Sequence, residues 1–376
     1  MDIQDVVSKY FKSVLVNENE DFFEFVVESK GSMPIDASFE MLYDELVGRH
    51  NHAVLLFRDS NNNYVLRISK KAQKVQSRKR RIITVALFIA TIASVAYAGY
   101  LTTQYFNIAV LSIGLSNLKL DVFVSTLFFT LAVMAPLLVH ELSHYYVARK
   151  SMIPVTPPVL VPAPVISPLG TFGAIIGMKH LPKSLKDLVR VGLAGPLAGT
   201  ILSYIIFTAM YALSPVVSYS AVSEAVSKGL IQELHILTIG TALIMKAAEV
   251  LGYGGNEAST VILNPPAVAA LFIILIHFIN LLPLGQLDGG HVFRGLTSIG
   301  AHKFAGFATL AIALVTALTV PNLLWLGIFV LLAFLITGLR VHPGAANLES
   351  KLQRRDRITY SIVYALLLLI TAPIVI

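Results

Sequence analysis

Hydrophobic and polar positions divide the chain of 376 residues into two unequal parts. In residues 1–72 the apolar side chains come in short, alternating groups. Asp5–Val16 carries apolar positions at helical spacing, and FFEFVVE at Phe22–Glu28 reads as a strand. Asp36–Val47 reads as a helix with acids in its first half, where the helix dipole favours them. Ala53–Arg58 and Tyr64–Ile68 flank DSNNN, a turn sequence, and so predict a hairpin. These elements predict a small soluble α+β domain over residues 1–72.

Beyond a basic linker at 73–81, the apolar runs reach membrane-spanning length. Spans are expected at about 82–101, 122–148, 186–212, 265–286, 304–320 and 322–340, with Pro321 breaking the last pair and a seventh candidate at 359–376. Residues 213–262, with an amphipathic stretch at Ile231–Val250, are expected outside or at the interface. Residues 151–182 contain seven prolines and are apolar without helical character, since proline interrupts helices. Within them GTFGAIIGM, 170–178, reads as a short strand. Non-helical backbone at membrane depth is tolerated where it is buried in protein or lines a wet cavity, which places this segment beside a site. The fold class expected is an α-helical polytopic membrane protein of about six or seven transmembrane helices, with a polytopic domain over 82–376 and the small α+β domain in front of it.

Composition supports that reading. The chain is 55% hydrophobic and 14% charged, against roughly 25% charged in soluble domains, and its mean hydropathy is +0.72. The net charge of +7 points to basic cytoplasmic loops rather than to nucleic acid. KVQSRKRR at 74–81, Arg149-Lys150 and the cluster Lys351, Arg354, Arg355 and Arg357 fall on one side of the expected topology, which places the amino-terminal domain in the cytoplasm. Early Asp2 and Asp5, with the first long apolar run starting near Ile82, do not fit a targeting segment. The absence of cysteine excludes disulfides and thiolate ligands, leaving His, Asp, Glu or backbone oxygen for any metal.

The candidate chemistry lies in LLVHELSHYYVARK, 137–150. His140 and His144 are four residues apart and share one helix face, so both imidazoles can bind one metal ion, while Glu141 can reach an attacking water. Polar groups inside a span are costly, which argues for function. A catalytic zinc takes three protein ligands and an open position, and the candidate for the third is Asp288 in HFINLLPLGQLDGGH, 277–291, the sole acid between Glu257 and the end of the sixth span. Asn280 precedes it by eight residues, where an amide can bind a substrate carbonyl or an oxyanion. His291 reads equally as a support for Asp288 or as an interfacial histidine, and His277 as a structural hydrogen-bonding residue. His50 and His52 read as surface residues, and His180, His235, His302 and His342 carry no argument. Ser143 lacks a partnered base, so a serine mechanism is not expected.

HELSH in one span and N-x-x-P-x-x-x-x-D-G, met by Asn280, Pro283, Asp288 and Gly289, resemble the site-2 protease family of intramembrane zinc metalloproteases. GTFGAII at 170–176 resembles that family's membrane-associated β-hairpin, and AGPLAG at 194–199 another of its signatures. The resemblance covers about 122–300 and is closest to the archaeal and plastid-type branch. It implies one zinc ion per chain held by His140, His144 and Asp288, with Glu141 activating water and Asn280 holding substrate. It also implies a hairpin, including Gly170, Thr171, Phe172 and Gly173, that takes the unwound substrate strand by β-addition. The implied substrate is a single-span membrane protein in the lipid bilayer. The competing readings are a metal-ion transporter and a catalytically silent assembly factor.

Overall fold

The computed structural model describes residues 2–72, 78–227, 229, 233–253, 259–337 and 342–375. Lys74, Ile231, Arg340 and the end of the expected sixth span lie outside the described residues.

The chain opens with helix α1 (Ile3–Tyr10), capped by the Asp2 carboxylate, which accepts from the Gln4 amide at 2.9 Å. The helix expected to run to Val16 stops at Tyr10. Phe11–Glu18 forms strand β1 instead, paired antiparallel with β2 (Phe22–Ser29). The reason is tertiary: Phe11, Val14 and Val16 suit a pleated strand, and β2 is at hand to pair with it. Helix α2 (Ile35–Tyr43) continues as a wider π-helical turn, Asp44–Arg49. Strands β3 (Val54–Arg58) and β4 (Tyr64–Ser69) form the predicted hairpin. The four-stranded sheet has the order β1-β2-β4-β3, and α1 and α2 pack on it through Val6, Val7, Phe39, Leu42 and Leu46.

Helix α3 (Arg78–Ser112) is long and apolar, and α4 (Val122–Lys150) follows, capped by Asp121, whose carboxylate accepts from the Val124 amide at 2.8 Å. Strands β5 (Val159–Pro162) and β6 (Thr171–Ile175) form a two-stranded antiparallel hairpin in the proline-rich segment. Helix α5 (Leu185–Ala212) has Ser184 as its N-cap. Past it lie short pieces: β7 (Val216–Ser218), α6 (Tyr219–Ser227), β8 (Ile236–Thr238), α7 (Ile239–Val250) and β9 (Ser259–Val261), with β7 paired to β9.

Helix α8 (Pro265–Leu281) is apolar and mostly buried. Here the structure corrects the expected single span over 265–286. The helix ends at Leu281, and α9 (Asp288–Leu296) begins after a six-residue connection. The cause is Pro283, which lacks an N–H and forces the residue before it out of the helical region; Leu282 is extended, at φ −63° and ψ 140°. Helices α10 (Ile299–Thr319) and α11 (Leu324–Thr337) are joined by a 3₁₀ turn at Pro321–Leu323. Helix α12 (Arg354–Thr371) starts ahead of the predicted 359–376 run and does not continue to its end. Pro373–Val375 forms β10, paired antiparallel with β8.

Among the described residues, four helices are long and apolar enough to cross a membrane: Arg81–Ser112, Val122–Lys150, Leu185–Ala212 and Ile299–Thr319. Their outward faces carry bare apolar side chains such as Phe123, Ile205 and Leu318, as expected where lipid tails are the solvent. The interior forms where α3, α4 and α8 meet, with Val95, Phe129, Val133, Leu137, Ala269 and Ile273 at its centre.

Candidate metal centre

Three elements build the centre. Helix α4 presents His140, Glu141 and His144, all buried, within its last three turns. The far end of α4 is tied to the start of α5 by the buried Asp187 carboxylate. It accepts from the Ser151 hydroxyl at 2.7 Å and from the hydroxyl of Ser184, the α5 cap, also at 2.7 Å. That clamp sets the two helices in register, so that the Val191 carbonyl on α5 lies 2.7 Å from His144 Nδ1. A carbonyl accepts, so Nδ1 carries the proton and the Nε2 lone pair is free to ligate.

Helix α5 approaches so closely because its facing residues lack side chains. A Cβ at Gly195 would collide with His144 Nε2, and one at Gly199 would lie 2.7 Å from the His277 ring and 3.0 Å from His140 Cβ. AGPLAG is thus the floor on which the histidine rings rest. The third element is the corner between α8 and α9, where Asp288 is the first residue of α9. Gly289 follows because a Cβ there would overlap the Leu281 carbonyl at the end of α8.

These elements bring the expected ligands together. His140 Nε2 lies 3.1 Å and His144 Nε2 3.2 Å from Asp288 Oδ2, and the two Nε2 atoms are 3.1 Å apart. Among the described residues this is the one group of three ligating side chains whose donor atoms converge. An ion bound tetrahedrally at about 2.0–2.1 Å to nitrogen and oxygen would hold its ligand atoms about 3.3 Å apart, so the triangle fits a zinc ion without rearrangement. Three lone-pair donors aimed at one point are otherwise mutually repulsive. Glu141 is within electrostatic reach of all three.

The remaining predicted residues separate. Asn280 is half-buried, one residue before the end of α8, and takes no part in the hydrogen bonds at the three ligands. Gly170 has a φ of +75° and packs on the backbone of α3 at Ser94, whose hydroxyl donates to the Gly170 carbonyl at 2.6 Å. Thr171 is buried and donates to the Val161 carbonyl at 2.8 Å. Phe172 is exposed and Gly173 has a φ of +98°. Strand β6 touches α4 and, among the described residues, pairs with β5 along one edge only. His291 contacts His342 edge-on, at 4.6 Å between ring centroids. The Asp187 clamp and the Val191 carbonyl have no motif to announce them and were not legible in the sequence. The sequence reads His277 as a structural hydrogen-bonding residue; the structure buries it in α8 with the Gly199 carbonyl beside its ring, though in no well-aligned bond.

Residues 128–322, just over half of the chain, match peptidase family M50. The chain belongs to peptidase family M50, the site-2 protease family. The match contains every residue of the converging triangle. Among curated proteins, the chain is 30% identical over 197 residues to the probable zinc metalloprotease EGY1, chloroplastic, of Oryza sativa subsp. japonica, covering 52% of this chain and 30% of that protein. It is 30% identical over 201 residues to the EGY1 protein of Arabidopsis thaliana (53% and 35%), and 34% identical over 154 residues to its EGY2 protein (41% and 26%). The chain therefore spans about a third or less of the length of these relatives. No solved structure matches the chain.

Proposed function

We propose that the chain is an intramembrane zinc endopeptidase that hydrolyses peptide bonds within or near transmembrane helices of membrane proteins. The observation that carries this reading is the convergence of His140 Nε2, His144 Nε2 and Asp288 Oδ2 at 3.1–3.2 Å beside the buried Glu141. His140, His144 and Asp288 are the zinc ligands. A bound zinc ion supplies Lewis acidity, polarising a carbonyl and making water a better nucleophile at neutral pH. The Glu141 carboxylate takes the proton of the attacking water and returns it to the departing amine nitrogen. The Val191 carbonyl holds the His144 ring in the tautomer whose Nε2 faces the ion. Asn280 binds a substrate carbonyl, and the open edge of β6 takes the substrate as an added strand. A helical substrate shields its own backbone, so it must unwind before that pairing forms. The substrate is a single-span membrane protein, and helix-breaking residues in its span favour cleavage.

Helices α8 and α11 complete the membrane body beside the four long helices, and the basic residues at Arg149, Lys150 and 351–357 support an orientation with the ligand-bearing end of α4 toward the cytoplasm. Residues 1–72 act as a cytoplasmic module over that end. An ion-conducting reading would need further ligating groups along a path, and the described residues contain one converging group.

The test uses purified, detergent-solubilised protein with a single-span substrate carrying Asn-Pro, beside the Glu141→Gln variant. The wild type cuts, while the variant holds equal zinc and loses about 10²–10⁴-fold in rate, the range for removal of a general base. Equal cutting by the variant would sink the assignment of Glu141. A zinc-loaded wild type that cuts neither this substrate nor a poly-Leu control would sink the peptidase reading.

A further inference from the structure

His277 is a buried histidine in the apolar helix α8 that the proposed chemistry leaves unused. Its ring lies flat against that of His140: the planes differ by 1° and the centroids are 5.0 Å apart, within the range of offset stacking. On its other flank His140 meets the edge of His144, at 4.7 Å and 74°. The two ligands differ in what holds them. A metal-bound imidazole normally gives its second N–H to an oxygen, which fixes the ring about its soft torsion. His144 does so, through Nδ1 and the Val191 carbonyl at 2.7 Å. The Nδ1 of His140 is buried and has no such partner.

We propose that His277 is a positioning residue for the metal centre: its stacked ring fixes the orientation of His140, as the Val191 carbonyl fixes that of His144. This rests on the reading of His140 as a zinc ligand. Hydrogen bonding alone does not account for His277. Neither ring nitrogen makes a well-aligned bond, and the Gly199 carbonyl beside the ring is shared with the Ser203 hydroxyl, from which it accepts at 2.8 Å. The slot itself is specific, because a Cβ at residue 199 would press on the His277 ring at 2.7 Å and on His140 Cβ at 3.0 Å. Glycine there lets α5 hold both rings together like the back of a clip. With His277 stacked on it and His144 crossing it at 74°, the His140 ring is held in the plane in which its Nε2 meets Asp288 Oδ2 at 3.1 Å. A ring face does the work, so an aromatic side chain without nitrogens should replace it and an aliphatic one of similar bulk should not.

The full chain in detergent is loaded with Co²⁺ or Zn²⁺. The Co²⁺ absorption spectrum and the rate of metal release to a chelator are recorded for wild type, His277→Phe and His277→Leu, with thermal unfolding of the metal-free forms as a check on folding. His277→Phe should keep the wild-type spectrum and release metal within about twofold of the wild-type rate. His277→Leu should change the spectrum and release metal about 10–100-fold faster, the range for loss of a group that orients a ligand. Release from His277→Leu at the wild-type rate would overturn the proposal, and so would a His277→Phe variant as leaky as His277→Leu, which would put the role on a nitrogen. A wild type that binds neither ion, or a His140→Ala variant that binds as well as the wild type, would overturn the site reading itself and the inference with it.

Discussion

At the scale of the residue, the centre depends on atoms that are missing as much as on those present. Gly195 is the sharpest case, because a single methyl group there would occupy the place of His144 Nε2. The ring has no room to retreat, since its Nδ1 is held by Val191 at 2.7 Å. Gly195→Ala is therefore expected to lower zinc affinity about tenfold or more, as displaced ligand support does elsewhere, while α5, which alanine suits better than glycine, stays folded. Zinc content after dialysis against a chelator, read beside helical circular dichroism, checks this; full zinc retention would show that the ring can move aside. The two histidines and Glu141 were legible in HELSH because helical spacing alone puts 140 and 144 on one face. The carbonyl that selects the tautomer was not, since every residue owns a carbonyl and only packing decides which one faces a ring.

At the scale of the element, the decisive event is a break. An uninterrupted helix through 265–286 would carry Asp288 past the histidines. Pro283 ends it, and α9 restarts with Asp288 at its first residue. The corner is held from outside by α12, where the buried Tyr364 hydroxyl donates to the Leu281 carbonyl at 2.7 Å. Tyr364→Phe leaves that buried carbonyl short of a donor at a cost of about 1–3 kcal/mol. A lowered midpoint of thermal unfolding, with zinc bound less tightly, is the expected result; an unchanged midpoint would mean the corner holds itself. The proline was visible in the sequence, and so was Asp288. The break was not, because an apolar run with one proline reads equally as a kinked span.

At the scale of the whole molecule, the first 72 residues are latched to the membrane body. Strand β3 would be an open sheet edge, yet Leu56 donates to the Ala346 carbonyl at 2.8 Å and accepts from the Leu348 amide at 2.9 Å, so the segment before α12 covers it. Around this seam the buried Tyr43 hydroxyl donates to the Leu181 carbonyl at 2.6 Å, Asn347 donates to Asp36 at 2.7 Å, and Lys183 meets Asp44 at 3.1 Å. The latch contains a titrating group. His180 is buried against Asn51, 3.1 Å from Nε2 to Oδ1, and burial, with Lys179 and His52 nearby, pushes its pKa down to about 4 from 6.5. The docked form thus prefers neutral His180. Its contribution is complete above about pH 6.5 and is lost as pH falls toward 4. The protection of the Leu56 amide against hydrogen exchange, taken relative to its intrinsic rate at each pH, should fall across that window in the wild type and less so in His180→Gln. Equal pH dependence in the two would remove His180 as the cause.

The sequence by itself determined the membrane class, a strand in the proline-rich segment, most of the small sheet and which side chains converge. Each of these is written in local pattern: apolar run length, turn composition, helical spacing, and polar groups where lipid makes them costly. Only the tertiary structure decided that Phe11–Glu18 is a strand, that α8 breaks before Asp288, that Gly195 and Gly199 seat the rings, and that His277 lies flat on His140. Those outcomes depend on which surface arrives opposite a residue, and that is a property of packing between segments far apart in the chain.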